Sequence, residues 1–365
     1  MPDVLITRDM LVEVCAPVPT TKQGVLDPLW LSDVLAHLAP GRKIASVTLL
    51  DVKQAMASKM RVAVTFEGQP ETVFKLCIKG FMDFDLDTSS AIHTISMRES
   101  AFYLEIAPHI SMHTPPCVVI VKDPSQHRVV FIMADMISAG AHFYDALEPF
   151  SIEQVAVTLD QLARLHARSE LLVGKNWIPS RLDELLSRAY LSWEQTQALM
   201  HDERRGDLPE RVLDARSLRC AIEQLASLIG QLPQTILHGD THPGNIYRTA
   251  DGQLGFTDWQ LVQHGHWSLD IAYHINSSLP VTVAEREERN LLAGYLDALA
   301  MHGGTPPRLD RAWDQYQCAT PYGYYHWAIT QRVRPVAITH RTFRRLGAAV
   351  DRHESYQRLG INTDA

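Results

Sequence analysis

The hydrophobic period of this chain changes once, near Ala134-Asp135-Met136, and that change limits what it folds into. Before it, apolar and polar residues alternate in three bursts: Ile44 to Leu50, Met60 to Phe66 and Thr72 to Lys79. Strand side chains point to alternate faces, so this period predicts three half-buried strands, with Glu67-Gly68-Gln69-Pro70 as a turn. They read as an antiparallel meander. A helical stretch follows from about Ala91 to Ile106. Two apolar runs, Cys117 to Lys122 and Val129 to Met133, then flank the turn Asp123-Pro124-Ser125. Five strands and one helix are expected in residues 1–134.

Beyond the change, Ser151 to Arg168 repeats apolar residues at Ile152, Val155, Leu159, Leu162 and Leu165, one face of a helix. Ser151 and Gln154 have the spacing of a capping box. Further helices are predicted at Arg181 to Met200, Arg211 to Leu228 and Ala284 to Met301. The expected class is α+β, with a small antiparallel-sheet lobe over 1–134 and a larger, mainly helical lobe over 135–365.

Composition removes several alternatives. A chain of 365 residues, 46% hydrophobic and 21% charged, buries a sizeable core. Its formal charge of -8, with basic residues gathered only into pairs such as Arg204-Arg205 and Arg344-Arg345, offers no footprint for nucleic acid. Met1-Pro-Asp-Val-Leu-Ile-Thr-Arg-Asp9 breaks its apolar stretch with charges and does not read as a secretory signal. The most apolar windows are far shorter than the ~20 residues of a membrane helix, so no membrane partner is expected. Five scattered cysteines without a Cys-x-x-Cys pair suggest neither a disulfide framework nor a zinc ribbon, and a cytoplasmic location fits.

Chemistry concentrates in His238-Gly239-Asp240-Thr241-His242-Pro243-Gly244-Asn245, followed thirteen residues later by Asp258-Trp259-Gln260. Asp240 and Asn245 stand five apart, the interval between the catalytic Asp and the metal-binding Asn of a protein-kinase loop, and Asp258 is placed as the later metal ligand. Ile246 to Arg248 and Leu254 to Thr257 read as two short strands around Asp251-Gly252, a hairpin that folds Asp258 back beside Asn245. A lone Asp-Thr-His is an ordinary solvated turn, and Asn or Asp in a turn ordinarily caps backbone. The whole set at this spacing favours phosphoryl transfer. His238, Asp240 and His242, with His264 and His266 downstream, also present zinc-ligand types, so a zinc-dependent hydrolase stands as an alternative.

The loop and the turn resemble the aminoglycoside phosphotransferase and choline kinase superfamily, whose pattern is His-Gly-Asp-x-His-x-x-Asn followed by Asp-Trp-[Glu/Gln/Asp]. Phe74 to Phe81 and Met97-Arg98-Glu99-Ser100-Ala101-Phe102-Tyr103 look most like its ecdysteroid-kinase-like branch. The resemblance implies a two-lobed protein-kinase-like fold and an ATP- and Mg²⁺-dependent kinase for a small-molecule alcohol. Asp240 would be the catalytic base, and Asn245 and Asp258 the metal ligands. Lys79 would bind the α- and β-phosphates and pair with Glu99; Lys75, on the same strand face, and Glu105 are the rivals. Ser58 would offer a hydroxyl to phosphate, and Met133 to Gly140, including Asp135 and Met136, a hinge whose backbone groups meet adenine. His238 would brace the loop, His242 hydrogen-bond near the metal ligands, and Asp270 order the loop from behind, while His166 is taken as structural.

One segment departs from the kinase pattern. Asp51 to Lys59 contains no glycine, so a close backbone approach to phosphate is not supported, and a non-catalytic nucleotide-binding module is a second alternative. Lys53 and Lys59 would supply charge there. The aromatic run Tyr316 to Trp327, with Tyr322, Tyr325 and Trp327, is a candidate acceptor wall, although aromatic stripes usually belong to a core. Arg332, Arg334, Arg341, Arg344 and Arg345 accompany it, which suits a neutral, apolar or anionic alcohol, such as a steroid-like or hydroxyacyl compound, better than a polycationic aminoglycoside.

Overall fold

Alternation in the first part of the chain becomes a six-stranded sheet in the computed structural model, which describes residues 6–54, 57–83, 89–187, 191–202, 207–331 and 335–362. Its strands are β1 (Val12–Cys15), β2 (Ile44–Gln54), β3 (Ser58–Phe66), β4 (Gln69–Gly80), β5 (Cys117–Asp123) and β6 (Arg128–Ala134). They lie in the order β1-β5-β6-β4-β3-β2. The expected meander is β2-β3-β4, antiparallel throughout. The additional strand corrects the expectation of five: β1 pairs with β5 in parallel, Val12 opposite Val119 and Cys15 opposite Lys122, so the sheet is mixed. Four residues of half-buried alternation carry too little periodic signal to be read alone.

Pleating sets the two faces of β3. Met60, Val62, Val64 and Phe66 pack into a core with Val25 of α1 (Lys22–Val25) and with Leu31 and Val34 of α2 (Pro28–Val34). Lys59 and Arg61 therefore point to the opposite face. That face is partly covered by α3 (Ser89–Glu105), whose Phe102 and Tyr103 join Cys117, Ile120 and Phe131 in the main core.

The rest of the chain is mostly helical. α4 (Ile152–His166) begins at the capping box, with Ser151 accepting from the Gln154 backbone and Gln154 reaching back. The single helix expected from Arg181 to Met200 is two, α5 (Arg181–Ser187) and α6 (Trp193–Met200), because Ser192 and Gln195 form a second capping box that starts a new helix. α7 (Ala215–Ile229) starts after its Asp214 cap, leaving Arg211 in a preceding 3₁₀ turn. α8 (Ser268–Ser278) is buried along its whole length and packs on α4, α9 (Val281–Met301), α10 (Leu309–Ala328) and α11 (Val336–Arg352). Pro321 lies inside α10, and the Gln317 carbonyl that a proline deprives of its helix partner accepts from Ser355 Oγ at 2.9 Å, at the start of α12 (Ser355–Arg358). No helix among the described residues is long and apolar enough to cross a membrane.

Candidate active site

Short strands set the loop in place. β8 (Thr235–Leu237) pairs with β11 (Gln263–Gly265), while β9 (Ile246–Arg248) lies between β7 (His142–Phe143) and β10 (Leu254–Phe256). The expected hairpin is β9-β10, with Ile246 opposite Phe256. One step past that pair, the Thr257 N–H donates to the Asn245 carbonyl at 2.9 Å, which puts Asp258 next to Asn245. Asp258 itself adopts φ 68 and ψ 69, a left-handed conformation that Asp tolerates better than most residues.

From the sheet side, Lys79 at the end of β4 reaches the same point. Its Nζ donates to both Glu99 oxygens at 2.8 Å and to Asp258 Oδ1 at 3.0 Å. Of the rival pairs, it is thus Lys79 and Glu99 that meet; Glu105 instead takes Lys175 and the Trp177 indole. Burial opposes the charge on Lys79, but Asp258 and Glu99 outweigh it and hold the ammonium above its ordinary range. Burial likewise opposes the charge on Asp258, and Lys79 and Lys59 overcome it, leaving the carboxylate far below its usual range. Glu99 goes the other way: its burial raises the carboxyl by more than Lys79 lowers it.

Asp240 sits across the loop with its carboxylate 22% exposed, enough to meet a ligand. Tyr273 Oη donates to its Oδ1 at 2.9 Å, and Asn245 Nδ2 donates to Oδ2 at 3.0 Å and to the Asp240 carbonyl at 2.9 Å. His242 Nε2 and His326 Nε2 each stand 3.7 Å from it. Burial opposes the Asp240 charge, but the three neighbouring histidines and Tyr273 favour it more, so it titrates below the ordinary carboxylate value. His326 is itself pushed down to about 4 by burial and is neutral at pH 7, so the direct donors to the carboxylate are the Tyr273 hydroxyl and the Asn245 amide.

Behind the loop, Asp270 accepts from the backbone N–H of His238 at 2.7 Å and of Gly239 at 3.0 Å, and its own carbonyl accepts from the Thr241 hydroxyl. His166 Nε2 lies 3.4 Å from the same carboxylate. His238 is fully buried: Nδ1 accepts from the Asp240 N–H and Nε2 lies 3.1 Å from the Thr257 carbonyl, so one ring ties the loop to the Asp258 turn. Gly239 has φ +81, and a Cβ there would meet the Leu261 carbonyl at 2.4 Å, so only glycine fits.

Several expected contacts lie elsewhere. Asp135 is an ion-pair partner of Arg61 at 2.9 Å and of the Ser138 hydroxyl; its N–H donates to the Lys75 carbonyl and that of Met136 to Ala134. The hinge donors are thus engaged within the protein. Ser58 Oγ, at the start of β3, donates to Gln54 Oε1, at the end of β2, at 2.7 Å. Tyr322, Tyr325 and Trp327 are buried, at 0%, 6% and 3% exposure; Tyr322 and Trp327 contact the loop, whereas the Tyr325 hydroxyl accepts from Arg219 of α7. Tyr322 Oη donates to the Gly239 carbonyl and accepts from Arg181, while Trp327 Nε1 donates to Tyr273 Oη. Arg332 and Arg334 lie outside the described residues. His264 is placed beside Pro179, and His266 is 2.8 Å from the Ser268 hydroxyl. Among the described residues no group of three or more His, Cys, Asp or Glu is placed to hold a metal ion.

The profile of the phosphotransferase enzyme family matches residues 68–311, more than half of the chain and the whole of this arrangement from Lys79 to Asp270. The chain belongs to the phosphotransferase enzyme family. A member of it is a small-molecule phosphotransferase, and the aminoglycoside phosphotransferase and choline kinase superfamily named by the loop is the right one. No curated protein sequence matches the chain. The microcompartment-associated aminopropanol kinase superposes with a TM-score of 0.51 over 87% of this chain and 95% of its own, at 11% identity. A choline kinase from Streptococcus pneumoniae gives 0.49 over 88% and 98%, at 13% identity, and a Plasmodium vivax ethanolamine kinase 0.48 over 85% and 83%, at 14%. At such identities the likeness concerns the two-lobed fold.

Tyr273 and His326 stand beside Asp240 without having been singled out in the sequence. Tyr273 had a signal, since it stands three residues after Asp270 and so on the same face of α8. His326 had none beyond its place in an aromatic run.

Proposed function

We propose that the protein transfers the γ-phosphoryl group of ATP to a hydroxyl of a small molecule with the help of Mg²⁺. The observation that carries this reading is the meeting of Lys79, Glu99, Asn245 and Asp258, from four separate segments, beside an ionised and partly exposed Asp240. Asn245 directs its amide nitrogen to Asp240, so Oδ1 remains for a cation, and Asp258 adds carboxylate oxygens; these hard donors suit Mg²⁺. When bound, the ion supplies charge that neutralises the phosphate oxygens.

In this reading residues 1–134 form the nucleotide-binding part and 135–365 the catalytic and acceptor-binding part. Lys79, fixed by Glu99, orients the α- and β-phosphates. Asp240 aligns the acceptor hydroxyl and takes its proton as the oxygen bonds to the γ-phosphorus and the bond to the bridging oxygen breaks. The hydrogen bonds from Tyr273 and Asn245 hold the carboxylate at one orientation for this step. Five free cysteines fit a cytoplasmic setting.

The test is turnover of Mg²⁺-ATP against a panel of hydrophobic alcohols, hydroxy acids and aminoglycosides. Asp240→Asn should lower kcat by roughly 10²–10⁴-fold and leave nucleotide binding in place. Full activity in that variant, or no nucleotide binding by the wild-type protein, would overturn the reading.

A further inference from the structure

We infer that Lys59 is a second phosphate-binding lysine, which takes the part that a glycine-rich loop would otherwise play for a nucleoside di- or triphosphate. The inference rests on the kinase reading above and adds a ligand contact to the same site. Lys59 and Lys79 are directly opposed in the β3-β4 register and project from one face of the sheet. They straddle Asp258: Lys79 Nζ lies 3.0 Å from Oδ1, and Lys59 Nζ 3.8 Å from Oδ2.

The two lysines differ in how much of their binding capacity is used. Lys79 is 4% exposed and, before a ligand arrives, shares its donors between Glu99 and Asp258, so to meet phosphate it must give up the Asp258 contact. The Lys59 side chain is 33% exposed, and 3.8 Å is too long for a hydrogen bond, so its three N–H donors remain for a ligand. Arg61, next on that face, is committed to Asp135 and Ser138. The other devices for holding phosphate are weak here, since Asp51 to Lys59 contains no glycine and the Ser58 hydroxyl is directed to Gln54.

Charge balance points the same way. Without a ligand, two lysines face two carboxylates, Glu99 and Asp258. A cation on Asp258 would repel Lys59 from Oδ2, and the flexible four-carbon stem lets its ammonium turn to the nearest anionic oxygens, those of the phosphates.

Calorimetric titration of the full chain with ADP, with and without Mg²⁺, and with adenosine separates the possibilities. Lys59→Met should raise the Kd for ADP by about tenfold or more. Its adenosine binding should stay unchanged, and Lys59→Arg should recover most of the ADP affinity. Lys59 is partly exposed, so Lys59→Met or, failing that, Lys59→Gln keeps the fold, checked by its melting temperature. Unaltered ADP binding, or equal weakening toward ADP and adenosine, would remove Lys59 from the phosphate site while leaving the kinase reading intact. A wild-type protein that binds no nucleotide would sink both.

Discussion

Asp240 is held by Asn245 of its own motif and also by residues that no linear motif contains. Tyr273 donates to its carboxylate and in turn accepts from the Trp327 indole at 2.6 Å, so a buried relay runs from α10 through α8 to the reacting group. Tyr273→Phe removes the donor and leaves the Trp327 N–H without its acceptor, at about 1–3 kcal/mol for an unsatisfied buried donor. Positioning of Asp240 should suffer more than the fold. The expected outcome is a roughly tenfold lower kcat with unchanged KM for ATP, and an acidic limb of the pH–rate profile moved to higher pH, because the carboxylate loses a stabilising donor. A purely structural role would lower the melting temperature and leave the limb where it was. At this scale the sequence was informative wherever spacing reports geometry. Asp240, Asn245 and Asp258 are joined by a short hairpin, and Lys79 was preferred over Lys75 by its flanking residues. Contacts made across helices, as by Tyr273 and His326, depend on packing that spacing does not encode.

Among the elements, α3 has the most to do with the site, because it delivers Glu99. Its position is fixed from below by a stack: Phe102 and Trp259 lie 3.8 Å apart between centroids and within 9° of parallel, and the Trp259 backbone N–H donates to Glu99 at 3.4 Å. The Asp258 turn and the helix that carries the Lys79 partner are therefore one packed unit. Phe102→Leu keeps an apolar side chain but loses the stack, with about 1–2 kcal/mol of stability expected to go with it. The sharper expectation concerns ligand binding: α3 loosens, Glu99 holds Lys79 less well, and the Kd for ADP rises several-fold while the protein remains folded at 25 °C. Calorimetry beside a thermal melt checks it, and an unchanged Kd would show that α3 is held by other contacts. Elements of strong periodicity, such as β3 and α4, were legible in advance. β1 was not, because its stability comes from a parallel partner far along the chain, and the break between α5 and α6 was masked by a hydrophobic pattern that continues through both.

For the molecule as a whole, the loop is supported by buried neutral imidazoles, and this ties folding to pH. His274 lies between the Thr241 carbonyl and the Thr158 hydroxyl, each 2.7 Å away: Nδ1–H donates to the carbonyl, and the hydroxyl, which also donates to the Gln154 and Val155 carbonyls, meets Nε2. Burial pushes it down to about 4, His326 to about 4 and His266 to about 3. The groups facing them are Asp240, Asp270, Arg181, Arg311, His166, His238 and His242. In the unfolded chain each of the three rings titrates near ~6.5. Between that value and about 4 the unfolded state binds protons that the native state refuses, so stability is complete above pH 6.5 and falls as the pH drops. Asp240 and Asp258 are depressed carboxylates whose contribution is lost only at still lower pH, and they do not blur this window. Urea unfolding from pH 7.5 to 5 should therefore show a free energy that declines by up to ~4 kcal/mol per pH unit for three protons. His274→Asn keeps a polar side chain without a titrating ring, and should reduce that slope by about one proton. A slope near zero in the wild-type protein would mean that the three rings are protonated inside the fold, against the burial that favours their neutral form.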